Sequence, residues 1–174
     1  MKYHYNFLIR LLLCFIPVSI FLFLFTKPTI YGTYTLLLNY NPLIAGEFLI
    51  IKNNIFEFVE ACIVPYAYYF LFILCLLTKD ISLKDRIKII FFGFILIFTM
   101  NILRIYLLIV LAQEYGFELF HLIHMFFWKF LSGVYVALVW ILLVKIYKVK
   151  SIPIYSDLKT LYKLATKKKR SNQY

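Results

Sequence analysis

The chain reads as an all-α polytopic membrane protein of about four transmembrane helices with a small extracytoplasmic β-hairpin. Three observations predict it. Hydrophobic residues make up 64% of the 174 and charged residues only 16%, more apolar surface than a soluble domain of this size can hide. The apolar residues gather in runs near the roughly 20 residues that cross a hydrocarbon core. The basic residues, in a net charge of +11, flank those runs instead of covering a soluble face, which excludes nucleic acid as the partner and fits a membrane topology.

The first run is Phe7–Phe25. It has no small-x-small cleavage site and is followed by Thr26-Lys27-Pro28, so it reads as a retained span, not a signal peptide. The second is Ile63–Leu77, short but extendable; the third is Ile87–Leu111; the fourth is Leu122–Ile146. The stretch Tyr31–Ala45, interrupted by Asn39, Asn41 and Pro42, reads as interfacial, re-entrant or a short fifth span. After it, Glu47–Phe58 has β-rich flanks around Asn53-Asn54, a hairpin signal because Asn tolerates positive φ.

Charge sets the orientation. Lys79, Lys84, Arg86 and Lys88 lie between the second and third runs, and Lys145 to Arg170 follow the fourth. The other two loops hold Lys27 and Lys52 among Glu47, Glu57, Glu60, Glu114 and Glu118. Both termini are therefore expected in the cytoplasm. Residues 1–147 form a transmembrane catalytic domain, and 148–174 a basic cytoplasmic tail that lies on anionic headgroups or is disordered.

Polar groups within apolar runs are expensive and mark function. Cys62 opens the second run, Asn101 and Arg104 sit in the outer half of the third, and His121 and His124 open the fourth. The orientation brings a thiol, a guanidinium and an imidazole to the outer membrane edge. Pro65 favours a first helical turn, so Cys62 is expected near a helix N-terminus that stabilises a thiolate. A Cys with an imidazole base points to acyl transfer through a thioester, with Arg104 neutralising the oxyanion. Asn101, one turn before Arg104, holds the guanidinium or joins helices. Cys14 and Cys75 read as small hydrophobes, and Lys129 as a snorkelling or packing residue. There is no CxxC pair, and no cofactor is expected.

At these residues the chain resembles the exosortase/archaeosortase family of membrane transpeptidases. The matching pieces are Glu60-Ala-Cys-Ile-Val-Pro-Tyr-Ala-Tyr-Tyr69, Asn101-Ile-Leu-Arg-Ile105 and His124-Met-Phe-Phe-Trp128, followed by Ser132-Gly133. Together they cover Gly46–Trp140, just over half the chain. Ile63-Val64-Pro65 after the cysteine is closer to the archaeal branch than to the bacterial C-S-G type. The resemblance implies an enzyme that cuts C-terminal sorting signals from exported proteins and passes the new carboxyl end to a surface acceptor, a lipid in archaea. It implies a triad of Cys62, Arg104 and His124, with His121 one turn away as the other candidate base. Membrane lipid is then both environment and acceptor. The competing readings are a non-catalytic transporter or channel subunit with Arg104 lining a polar path, and a metal or haem protein using His121, His124 and Cys62.

Overall fold

The computed structural model describes residues 2–127 and 132–171. Trp128 of the family-like motif and Lys129 lie outside the described residues. The chain runs through α1 (Lys2–Leu13), α2 (Ser19–Leu36), a 3-10 turn (Leu38–Tyr40), strands β1 (Leu43–Ala45), β2 (Phe48–Ile51) and β3 (Asn54–Glu57), and then α3 (Glu60–Ile63) and α4 (Pro65–Leu76). It continues with α5 (Leu83–Tyr115), α6 (Phe117–Phe126), α7 (Ser132–Ile146) and α8 (Tyr155–Ser171).

The expected count of about four crossing helices is corrected by where the backbone breaks. Among the described residues one helix, α5, is long and apolar enough to cross a membrane. The first apolar run is cut between Leu13 and Ser19 around Pro17, which has no N–H to give. The second is cut at Val64, whose φ of 51° ends α3 before Pro65 starts α4 as its first residue. The 12 residues left in α4 rise only roughly 18 Å. Of the fourth run the described residues give α6, of 10 residues, and α7, of 15. Among the described residues α5 is the long uninterrupted helix. Ser82 caps its N-terminus by accepting from the Asp85 amide at 3.1 Å, and its 33 residues extend roughly 50 Å.

Tyr31–Ala45 forms no fifth span, since it passes from α2 through the 3-10 turn into β1. The hairpin is present and is joined by that third strand. β2 pairs antiparallel with β3 from Phe48↔Glu57 to Ile51↔Asn54, and β1 pairs on the other side of β2. Its tight turn is Lys52-Asn53, one residue earlier than the Asn pair predicts, with Lys52 at φ 54°.

Two apolar clusters stack along α5. One joins Ile30 of α2 and Leu37 just after it, Leu49, Ile51 and Phe56 of the sheet, and Ile63 to Ile105, Ile109 and Ala112. The other joins Phe21, Tyr68, Leu71 and Cys75 to Ile89 and Ile97, and to Val136, Val139 and Leu143 of α7. α4, α5 and α7 approach closely at Gly93, where a Cβ would collide with Leu71 and touch Leu143. Asn101 and Arg104 lie between the clusters, on the stretch of α5 that faces α3.

The tail is helical and held down at its start. Ile154 donates its amide to the Leu77 oxygen at 2.9 Å. Arg10 of α1 clasps the buried Asp157 with two bonds of 2.9 and 3.1 Å. Arg10 and Arg86 both donate to the carbonyls of Leu76 and Thr78. The first turn of α8 is thereby part of the folded body, where the sequence predicts a surface-bound or disordered tail.

Candidate functional site

The site is built around one broken turn. α3 is only four residues long and ends where Val64 enters the left-handed region. Its last carbonyls therefore cannot be met by a continuing helix. α5 meets two of them. Asn101 Nδ2 donates to the Cys62 oxygen at 2.8 Å, and Arg104 Nη2 donates to the Ala61 oxygen at 3.2 Å. Both side chains are buried, Asn101 at 5% and Arg104 at 7% exposure. Their three-residue spacing puts them on one face of α5, and that face fixes the turn that carries Cys62.

Arg104 has donors to spare. Its Nε, the Asn101 Oδ1 and the hydroxyl of the fully buried Tyr68 are enclosed with no partner among the described residues. Cys62, Arg104 and His124 line one cavity of ≈ 220 Å³, walled by Ile105, Leu108, Phe117 and Phe120 of α5 and α6 and by residues 55–58. Phe120 stacks on the His124 imidazole, with centroids 5.6 Å apart and planes 17° from parallel. α6 can bring His124 back to α5 because Gly116, at φ 88°, turns the chain sharply after Tyr115.

His121 is exposed and does not line this cavity. Cys14 and Cys75 lie elsewhere. Cys75 is buried, with its thiol on the Arg86 oxygen, and Cys14, just past the end of α1, donates its thiol to the main-chain oxygen of Arg10. The three predicted residues thus meet, Asn101 supports them, and His121 stands one turn outside. Among the described residues no group of three His, Cys, Asp or Glu side chains is placed to hold a metal.

The expected thiolate is corrected. Cys62 belongs to the isolated turn α3, not to the N-terminus of α4, so it gains no macrodipole of useful length. Burial pushes its thiol above the ordinary value, and the Arg104 charge only partly opposes that. His124 moves the other way: burial first, then Arg104 and His121, pull it below the ordinary imidazole range. Both shifts favour the neutral form, a thiol and an imidazole lining one cavity, and neutral imidazole is the form that accepts a proton.

Reasoning from sequence misses the Arg10–Asp157 pair at the opposite end of the molecule. Its signal was present: an arginine inside an apolar run, and one acidic residue in a basic tail. No family model, curated protein or solved structure matches the chain.

Proposed function

We propose that the chain is a membrane-embedded cysteine transpeptidase. It cleaves a C-terminal sorting signal of exported proteins and transfers the new C-terminus to a surface acceptor, a lipid in the archaeal-type reading. The observation that carries this is the shared cavity of Cys62, Arg104 and His124. The resemblance of the three motifs to exosortases and archaeosortases supports it independently.

In the reaction His124 takes the Cys62 proton as sulfur attacks the scissile carbonyl. The oxygen becomes an anion that pairs with the Arg104 guanidinium. Collapse expels the amine, which recovers the proton from His124 and leaves a thioester. The acceptor gives its proton to His124 as it attacks the thioester carbonyl; the C–S bond breaks as the new bond forms, and the departing sulfur takes that proton back from His124. A thiol that burial keeps protonated at rest suits this order, because the anion forms only as the bond forms.

In this reading the protein lies in the cytoplasmic membrane with α5 as its one uninterrupted crossing, the site at the outer end of that helix and both termini toward its inner end. Supporting this, only 33% of the apolar window of α5 is buried, unlike the core helix of a soluble protein. Phe15, Phe23, Phe91 and Leu138 are more than half exposed while Arg10, Arg86 and Arg104 are buried, an arrangement that lipid stabilises and water does not. Lys79, Lys84, Arg86 and Lys88 gather at the N-terminal end of α5 while Glu114 and Glu118 lie at the other, the asymmetry that the positive-inside rule describes. Reporter fusions at the C-terminus and at Asn53 test the orientation, and an external C-terminus refutes it.

Cys62→Ala tests the chemistry. It abolishes processing of tailed exported proteins with normal membrane levels, while Cys14→Ala and Cys75→Ala leave processing intact. Wild-type processing by Cys62→Ala would remove the proposal. A purely structural role for Asn101 and Arg104, as braces for α3 in a non-catalytic subunit, is favoured by their bonds to Cys62 and Ala61, and the same variant excludes it if processing stops.

A further inference from the structure

The cavity beside Cys62 has an unusual fourth wall. Ile55, Phe56, Glu57 and Phe58 line it consecutively. Side chains alternate faces along a strand, and here they do: Phe56 and Phe58 are buried while Ile55 and Glu57 are exposed. A cavity that touches four successive residues reaches both sides of the alternation, the buried face at Phe56 and Phe58 and the margin at Ile55 and Glu57.

That edge is unpaired. The sheet order is β1-β2-β3, so β3 is terminal. Its register tells which backbone groups face outward. The Phe58 amide donates to the Glu47 oxygen at 2.9 Å, and Ile51↔Asn54 closes the two-residue turn. Antiparallel pairs alternate between bonded and non-bonded. Asn54, Phe56 and Phe58 therefore spend their amides and carbonyls on β2 and its extension, and Ile55 and Glu57 turn theirs away from the sheet. Ile55 and Glu57, which carry those outward groups, line the same cavity as Cys62, Arg104 and His124.

We propose that the free edge of β3 is a peptide-docking strand: an extended segment of an exported protein adds beside it and is held by the backbone of Ile55 and Glu57. This deepens the transpeptidase reading and rests on it for the chemistry, though not for the binding. An added strand runs about 4.8 Å from β3 and therefore through the cavity. Its main-chain carbonyls come within the space shared by the Arg104 guanidinium and the Cys62 thiol. Main-chain pairing supplies affinity with little demand on sequence, and Ile55, 65% exposed, offers an apolar contact for alternate side chains of the guest. An extended peptide is the occupant that matches such an edge, because only it can satisfy two outward N–H and two outward C=O groups at strand spacing.

The test uses the full chain in its own cells. Cys62→Ala is combined with p-benzoylphenylalanine in place of Ile55, and irradiated membranes are searched for adducts. The probes are the cell's own exported proteins that end in an apolar segment and a basic tail. The expected adduct maps to residues just before that apolar segment. The same photoprobe in place of Leu43, on the opposite edge, gives none. Glu57→Pro removes one outward amide and no ladder bond, and lowers adduct yield about tenfold, as one or two lost backbone hydrogen bonds require. With Cys62 present, Glu57→Pro keeps normal membrane levels and an alkylation rate at Cys62 within about twofold of wild type, the mark of an intact fold. No adduct at position 55, or equal adducts at 55 and 43, overturns the docking edge. Undiminished processing by Cys62→Ala alone strikes the enzymatic reading while an adduct at position 55 still upholds the edge.

Discussion

The Asn101 side-chain amide donates to the main-chain oxygen of Cys62 at 2.8 Å, so a residue in the middle of the long helix positions the residue proposed to carry the chemistry. The bond spans 39 positions of sequence. It exists because α3 stops one residue after Cys62 and leaves that carbonyl without a helical donor.

Asn101→Leu should therefore destabilise the protein even though it removes a polar group from an apolar helix. A buried carbonyl left without its donor costs about 1–3 kcal/mol. In a protein of this size that lowers the thermal midpoint by about 2–4 °C per kcal/mol. Melting of the purified protein in detergent measures it, and an unchanged midpoint would show that the Cys62 carbonyl does not depend on Asn101.

The pH dependence of Cys62 labelling follows from its burial. The thiol is held above its ordinary value, so its thiolate fraction is small at neutral pH and grows with alkalinity. Alkylation by a small neutral reagent should keep rising from about pH 7 to 9 with no plateau. Arg104→Ala, which removes the one cation lowering that value, should slow the reaction further at any fixed pH in this range. A rate already level by pH 7 would mean a resting thiolate, the stabilised form that the sequence suggests.

Arg104→Lys separates charge from geometry. Lysine keeps a cation near the cavity but loses the planar fork that reaches the Ala61 oxygen and still leaves donors for an oxyanion. Normal insertion with processing reduced by at least about 10²-fold, the loss typical of one oxyanion donor, is expected. Near-normal turnover would reduce Arg104 to a diffuse positive field.

At the far end, Arg10 and Asp157 tie α1 to α8 through an ion pair whose side chains are 8% and 2% exposed. Asp157→Asn should cost about 3–5 kcal/mol, since it strands a buried cation. The carbonyls of Leu76 and Thr78 offset part of that. Arg10→Met with Asp157→Leu should restore much of the loss, because neither charge then remains. Trypsin release of the tail, read beside the melting curve, reports it; equal release from wild type and Asp157→Asn would show that the clasp does not hold α8.

What the sequence discloses and what it hides follow from range. Asn101 and Arg104 were legible because two polar residues three apart in an apolar helix share a face, a local rule. The hairpin was legible from the β-rich flanks around its Asn pair. Helix continuity was not, because hydropathy counts apolar residues and is blind to Val64, a β-branched residue held at φ 51° by its surroundings. Pro17 was available as a break, but its apolar neighbours masked it. The Arg10–Asp157 pair joins positions 147 apart, a distance over which no periodicity carries information. The docking of α8 was lost with it.

The choice of base rests on reach. His121 and His124 lie three positions apart on α6, roughly 4.5 Å of rise, so one thiol cannot be served equally by both. His124 lines the cavity with Cys62 and has Phe120 stacked on its ring, which restricts its orientation. His121 is exposed, and helps lower the proton affinity of His124 by its nearby charge when protonated. His124→Ala should therefore nearly abolish processing, since a general base contributes about 10²–10⁴-fold. His121→Ala should leave it within about threefold and let His124 titrate slightly higher, moving the acid limb of the pH–rate profile upward. The limb identifies the base more securely than the loss of rate, because a structural histidine can lower activity without setting its pH dependence. His124→Gln keeps hydrogen-bonding capacity but cannot accept a proton at neutral pH, so it should be as inactive as His124→Ala. An active His124→Ala beside an inactive His121→Ala would mean that α6 shifts by nearly one turn when substrate binds, bringing the outer histidine to the sulfur.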